Sequence, residues 1–137
     1  MEQLFEFAAN HLPLVAALVA ILCALFLTEM RKGGQALSTQ EMIQLVNQED
    51  AIVIDVRKKA DYDKGHIVNA INIPYANLKN RISELNKHKN KPIIIVDAMG
   101  QHASSAIKTL KESGLTNVVK LKGGVGTWQA DSLPLIK

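Results

Sequence analysis

Cysteine is nearly absent from this sequence: Cys23 is the only one in 137 residues. A lone thiol excludes an intrachain disulfide, so no disulfide scaffold holds the fold and nothing points to an oxidising compartment. Lys and Arg are missing from the first 30 positions, which carry three acids, Glu2, Glu6 and Glu29. A cleaved signal peptide needs a positive start, and this chain has the opposite. Leu22 stands before Cys23 where a lipoprotein signal needs a small residue. Aromatic residues make up 4%, with no stacking or groove-reading motif among them, so no nucleic-acid partner is expected. The four histidines are scattered without metal-ligand spacing, and neither a metal nor a cofactor is expected.

What is present first is an apolar run, LPLVAALVAILCALFL, over residues 12–27. Its Leu, Val, Ala and Ile fall on every helical face, which excludes an amphipathic surface helix. At 1.5 Å per residue the run reaches about 24 Å, a little short of a ~30 Å hydrocarbon core. Thr28 and the weakly polar stretch 5–11 are expected to supply the missing turn, with Pro13 tolerated in a first helical turn. The expectation is a single transmembrane helix at about 12–28, within an N-terminal segment 1–30. Arg31 and Lys32 follow it directly. The positive-inside rule then puts the short N-terminus outside and everything after the span in the cytoplasm. Residues 31–137 hold all 16 basic residues and ten of the acids, a formal +6. Some of that charge is expected near anionic lipid, and most of it is read as an ordinary solvated surface.

Residues 31–37, with Gly33 and Gly34, read as a short tether, and a globular domain is expected over 38–137. Ser38-Thr39-Gln40-Glu41 matches a capping box, with Met42, Ile43, Leu45 and Val46 on the helical face behind it. Strands are expected at 51–56 (AIVIDV), 68–73 (VNAINI, stopped by Pro74), 93–96 (IIIV) and 118–121 (VVKL). Helices are expected at 78–85 through Leu78, Ile82 and Leu85, at about 103–113 ahead of Gly114, and in a short segment carrying Trp128. Alternating strands and helices give an α/β fold with a parallel sheet.

The run Ile93–Val96 ends in a loop, Asp97-Ala98-Met99-Gly100-Gln101-His102-Ala103, that opens a helix. Strand, loop and helix place this loop at the carboxyl end of the sheet, where open α/β folds keep their sites. A helix start offers N–H groups and the positive end of a dipole to an anion. Here the residue at the mouth is itself an anion, Asp97, with no Cys, Ser or Lys nucleophile beside it.

The ordered set Ile54-Asp55-Val56-Arg57, Asp61-Tyr62, Gly65-His66-Ile67 and Ala70-Ile71-Asn72-Ile73-Pro74 resembles the first signature of the rhodanese family. Leu121-Lys122-Gly123-Gly124-Val125 with Trp128 and Leu133-Pro134 resembles its C-terminal signature. With the apolar segment, the chain is similar to the small membrane-tethered, YibN-type rhodanese-like proteins of bacteria. The resemblance implies a three-layer fold with a mostly parallel, five-stranded sheet, a bacterial inner-membrane location, and an active loop at 97–103. In active members that loop opens with a cysteine that carries sulfur as a persulfide. An arginine, a glycine and a second basic residue usually follow. Asp97 stands in place of the cysteine and Ala98 in place of the arginine. Gly100 is kept, and His102 stands for the second basic residue.

Persulfide chemistry requires a thiolate, and the one thiol lies inside the apolar run. Asp97 is therefore read as a built-in anion that fills the loop and caps the helix, repelling a thiosulfate or phosphate. The alternative is an aspartyl-phosphate nucleophile, but no acids for Mg²⁺ lie nearby in sequence. Asp55, Gly65, His66, Gly123, Gly124 and Trp128 are read as structural. Arg57 is expected to pair with an acid such as Asp61. Ala98 and Met99 make the loop rim apolar, which favours a protein surface over a small anion. The expected function is a catalytically silent, membrane-anchored binding module with a protein partner. The competing reading is a sulfurtransferase that uses a thiol supplied from elsewhere.

Overall fold

A computed structural model describes residues 1–32 and 34–137. Gly33 of the expected tether lies outside the described residues, as do the side chains of 29–32. The chain divides into two compact units, Met1–Arg31 and Lys32–Lys137.

The first unit holds α1 (Glu2–Asn10) and nearly all of α2 (Leu12–Lys32). The stretch 5–11 does not extend the apolar helix as expected. Residues 5–10 belong to α1 and His11 caps it, and α1 meets Leu12–Thr28 at a bend of 93°. Pro13 explains the break, since it donates no N–H and its ring collides with the carbonyl four residues back. The same proline sits in the first turn of α2, where the missing donor costs no helical bond. Among the described residues no single helix is long and apolar enough to cross a membrane, whereas the bent pair meets that length and composition together. The large apolar side chains of both helices, from Leu4 to Leu27, are exposed except for the half-buried Val15.

The second unit is a three-layer α/β domain. Its sheet has five strands, β1 (Gln35–Leu37), β2 (Ile52–Asp55), β3 (Ile71–Asn72), β4 (Ile93–Val96) and β5 (Val118–Leu121), in the spatial order β1-β5-β4-β2-β3. Every pairing is parallel. Central β4 is buried at all four positions. Full burial of one such aliphatic side chain is worth roughly 1.5–3 kcal/mol, so this strand anchors both faces. One face packs Ile93 and Ile95 against Leu78, Leu85, Ile107 and Leu110. The other packs Ile94 and Val96 against Met42, Ile67, Val125 and Trp128.

The helices of this unit are α3 (Thr39–Glu49), α4 (Lys59–Lys64), α5 (Ala103–Glu112) and α6 (Gly124–Ala130). Ser38 accepts from the Glu41 backbone N–H, and the Glu41 carboxylate accepts from Ser38 N–H, closing the capping box. Four expectations differ from what is observed. The tether ends early, because Gln35–Leu37 pairs with β5 as an edge strand. The strand expected at 68–73 shrinks to Ile71–Asn72, since Asn69 turns the chain at φ 63°. The helix expected at 78–85 forms as successive 3₁₀ turns over 75–88. Asn77, Asn80, Ser83 and Asn86 interrupt it, and these residues compete for backbone hydrogen bonds. The short α4 lacks an apolar period and has no counterpart among the expected helices.

Candidate functional site

The loop leaves β4 at Asp97, which is 2% exposed. Its carboxylate turns back over the loop. Oδ1 accepts from Gly100 N–H at 2.5 Å, and Oδ2 accepts from His102 N–H at 2.7 Å and Ala103 N–H at 3.1 Å. His102 occupies the N-cap position of α5 without a side-chain cap bond. Asp97 therefore caps the helix from outside it, using donors that a helix start otherwise leaves to solvent or to a bound anion.

The turn before α6 closes the other side of the loop. Asp97 and Ala98 carbonyls accept from Val125 and Gly126 N–H groups at 2.8 and 3.0 Å. Gly124, at φ 61°, lies against Asp97 so closely that a Cβ would collide with its carbonyl and carboxylate oxygens. Gly124 is thus required by close backbone approach as well as by positive φ, and Gly123, at φ 74°, by positive φ and by the Thr127 side chain. Gly100, at φ 93°, faces Gly123 across the loop.

The rim is mixed. Met99 is 73% exposed, Gln101 and His102 are exposed, and Ala103 is buried. The His102 ring stacks on Tyr75, with centroids 5.5 Å apart and planes at 23°. Tyr75 was not among the residues singled out in the sequence. It reaches the loop because its N–H bonds the Val56 carbonyl at the end of β2.

A second group braces the neighbouring strand end. Asp55 is 1% exposed, and Arg57 forks onto both of its carboxylate oxygens at 2.8–3.1 Å while also donating to the Gly65 carbonyl. Arg57 therefore pairs with Asp55 and not with Asp61. Two residues along an extended chain point the same way, and the planar guanidinium fits a carboxylate bidentately. Asn72 donates to the Asp55 and Arg57 carbonyls. His66 stacks on Tyr62 at 3.8 Å, and its backbone pairs with Ile136, pinning the C-terminal tail. The Tyr62 hydroxyl donates to the Ala70 carbonyl at 2.6 Å. Burial, then the charges of Asp55 and Asp63, push the Tyr62 phenol above its usual value. Trp128 is buried, and its indole N–H donates to the Pro134 carbonyl. Asp55, Arg57, Gly65, His66 and Trp128 thus form a frame beside the loop and do not enter it.

Chemically, the loop offers no thiol, and its Gly100, His102 and Ala103 N–H groups are engaged by Asp97. Cys23 lies on α2, in the other unit. Among the described residues no group of three His, Cys, Asp or Glu side chains is arranged to hold a metal ion. An apolar recess of about 150 Å³ lies apart from the loop, lined by residues that include Met42, Val53, Ile67 and Trp128.

Comparison with known proteins places this geometry. A family model for the rhodanese-like domain matches residues 38–131. The YibN protein of Escherichia coli (strain K12) is 35% identical over 141 aligned residues, covering 100% of this chain and 99% of the relative. The thiosulfate sulfurtransferase GlpE of Pseudoalteromonas translucida is 31% identical over 94 residues, covering 69% of this chain and 88% of the relative. Among solved structures, a rhodanese-related protein from Thermoplasma volcanium superposes with a TM-score of 0.67 at 24% identity, covering 74% of this chain and 97% of that one. That last likeness concerns the fold alone. With the family's domain matched over 38–131 and the parallel five-stranded sheet that carries it, this chain belongs to the rhodanese-like domain family.

Proposed function

We propose that the chain is a single-pass protein of the bacterial inner membrane that displays a catalytically silent rhodanese-like domain to the cytoplasm and works by binding a protein partner. The observation that carries this reading is the Asp97 carboxylate, which takes up the Gly100, His102 and Ala103 N–H groups. Those donors are where an incoming oxyanion would have to sit, and a second anion beside a carboxylate is repelled. The exposed rim of Met99, Gln101 and His102 supports protein recognition, since methionine adapts to varied apolar surfaces. The exposed apolar side chains of the bent pair Glu2–Asn10 and Leu12–Thr28, which together reach the length and composition of a span, support the anchor, because large unpartnered apolar surface marks contact with lipid or protein. Arg31 and Lys32 at its C-terminal end support the cytoplasmic placement of the domain.

A second reading is a sulfurtransferase working with a thiol supplied by another molecule. It is favoured by a relative named as a thiosulfate sulfurtransferase and another named as a putative sulfur carrier protein. The two readings separate in one pair of experiments on the detergent-solubilised full chain. A thiosulfate-to-cyanide assay is expected at background, and turnover well above it defeats the binding reading. Pull-down from membrane extract is expected to recover a protein that is lost when the loop rim is changed by Met99→Glu. Recovery of no domain-dependent protein counts against the binding role.

A further inference from the structure

The excess of positive over negative charge in the domain lies in one layer. The crossover 75–91 and helix α5 both cover the same face of the sheet, because Leu78 and Leu85 of the crossover pack with Ile107 and Leu110 of α5. These two segments carry Lys79, Arg81, Lys87, Lys89, Lys91, Lys108 and Lys111 against Glu84 and Glu112, a formal +5. The remainder of residues 34–137 has seven basic residues against eight acids. Arg81 is engaged by Glu84 at 2.8 Å, and Lys91 reaches Asp50 at 3.7 Å. Lys79, Lys87, Lys89, Lys108 and Lys111 are exposed. The crowding is physical: burial, then Lys87 and Lys91, lower the proton affinity of His88.

We infer that this layer is a docking surface for anionic lipid headgroups, used once the domain is held at a membrane. The inference rests on the tethered reading above. It is the tether that selects lipid over other polyanions. The domain's first strand starts at Gln35, three residues after α2 ends at Lys32, so a bilayer holding α2 stays within reach of the layer at high effective concentration. Lysines near an anionic leaflet gain about fivefold in partitioning each, and the attraction fades within a Debye length. Five exposed lysines spread over two segments suit a fluid sheet of charge better than a shaped polyanion, and the exposed Tyr75 of the crossover is already stacked on His102.

The test uses the full chain carrying Cys23→Ser, with a single donor dye placed by Asn90→Cys on the basic layer or by Gln129→Cys on α6, which packs on the opposite sheet face. Each labelled protein is put in nanodiscs with acceptor-labelled headgroups, either all zwitterionic or containing about one-third phosphatidylglycerol. Energy transfer from position 90 is expected to be at least about threefold that from position 129 in the anionic discs. It should fall to parity in zwitterionic discs and in about 0.5 M NaCl, where screening acts within roughly 4 Å. Replacing the five exposed lysines by glutamine (Lys79→Gln, Lys87→Gln, Lys89→Gln, Lys108→Gln and Lys111→Gln) should abolish the difference while Trp128 fluorescence stays native. Equal transfer from both positions, or transfer indifferent to lipid charge and salt, overturns the docking surface alone. Release of the chain from the bilayer by alkaline carbonate overturns the tether and the docking surface together. Transfer from position 90 to a labelled RNA oligomer, with none to anionic lipid, overturns the assignment to lipid.

Discussion

Gly124 and Asp97 meet so closely that no side-chain carbon fits between them. The turn at Gly123-Gly124 and the loop after β4 are therefore one unit. Val125 and Gly126 N–H groups hold the loop's carbonyls from one side, while Asp97 holds its N–H groups from within. Replacing Gly124 adds both a collision and a positive-φ penalty, each worth about 1–3 kcal/mol. Gly124→Ala is expected to lower unfolding free energy by roughly 2–4 kcal/mol, read by urea titration of Trp128 fluorescence in detergent. A loss below about 0.5 kcal/mol, the range of an ordinary surface substitution, would show that the loop yields freely.

Restoring the family nucleophile alone is not expected to restore its chemistry. In Asp97→Cys the thiolate would regain the three N–H donors, but Ala98 and the Tyr75-stacked His102 leave an incoming thiosulfate without a strong cation. The thiosulfate-to-cyanide assay should show at most weak turnover in that variant. Robust turnover would mean that the remaining cradle is competent as it stands.

The pair between Asp55 and Arg57 is expected to dominate the stability of the neighbouring strand end. Asp55 is buried and Arg57 nearly so, at 1% and 11% side-chain exposure. Removing one partner of a buried pair leaves an uncompensated charge, at a cost of about 3–5 kcal/mol. Arg57→Ala should approach that loss, and Arg57→Lys should recover only part of it, because an ammonium cannot fork onto both oxygens and the Gly65 carbonyl. Equal stabilities of Arg57→Lys and the native chain, measured by the same titration, would contradict the bidentate role.

His88 sets a mild pH dependence with a definite sign. Its folded pKa is lowered from 6.5 by burial and by Lys87 and Lys91. The unfolded chain therefore binds the proton more readily, and stability rises with pH across the interval from the lowered value up to 6.5. Urea midpoints should fall as the pH drops through that window, and His88→Gln should flatten the slope there. An unchanged slope in the variant would assign the dependence to other groups.

The fold is most legible in the sequence where burial is symmetric. Ile93–Val96 is enclosed on both faces, so an unbroken apolar run marks the strand without ambiguity, whereas Val118–Leu121, with Lys120 inside it and its two middle positions half-buried, is marked by its β-branched pair and the glycine turn that follows. Gln35–Leu37 was not legible, because an edge strand with two exposed positions out of three looks like a linker. The 3₁₀ turns after Pro74 carry the leucine spacing of a helix, and only the intervening Asn and Ser residues argue otherwise. At the loop, a carboxylate at a helix start was visible from residue types alone. The partner of Arg57, the stacking of Tyr75 on His102 and the approach of Gly124 all depend on pairings distant in sequence, and no local pattern encodes them.

The most direct measurement follows the Gly100, His102 and Ala103 amides by NMR during titration with thiosulfate, in the native chain and in Asp97→Ala. With the carboxylate in place, the three signals should not move beyond the general salt effect. In Asp97→Ala they should shift together and saturably, because the donors are released to an outside anion. Saturable shifts in the native chain would contradict the claim that Asp97 occupies the cradle.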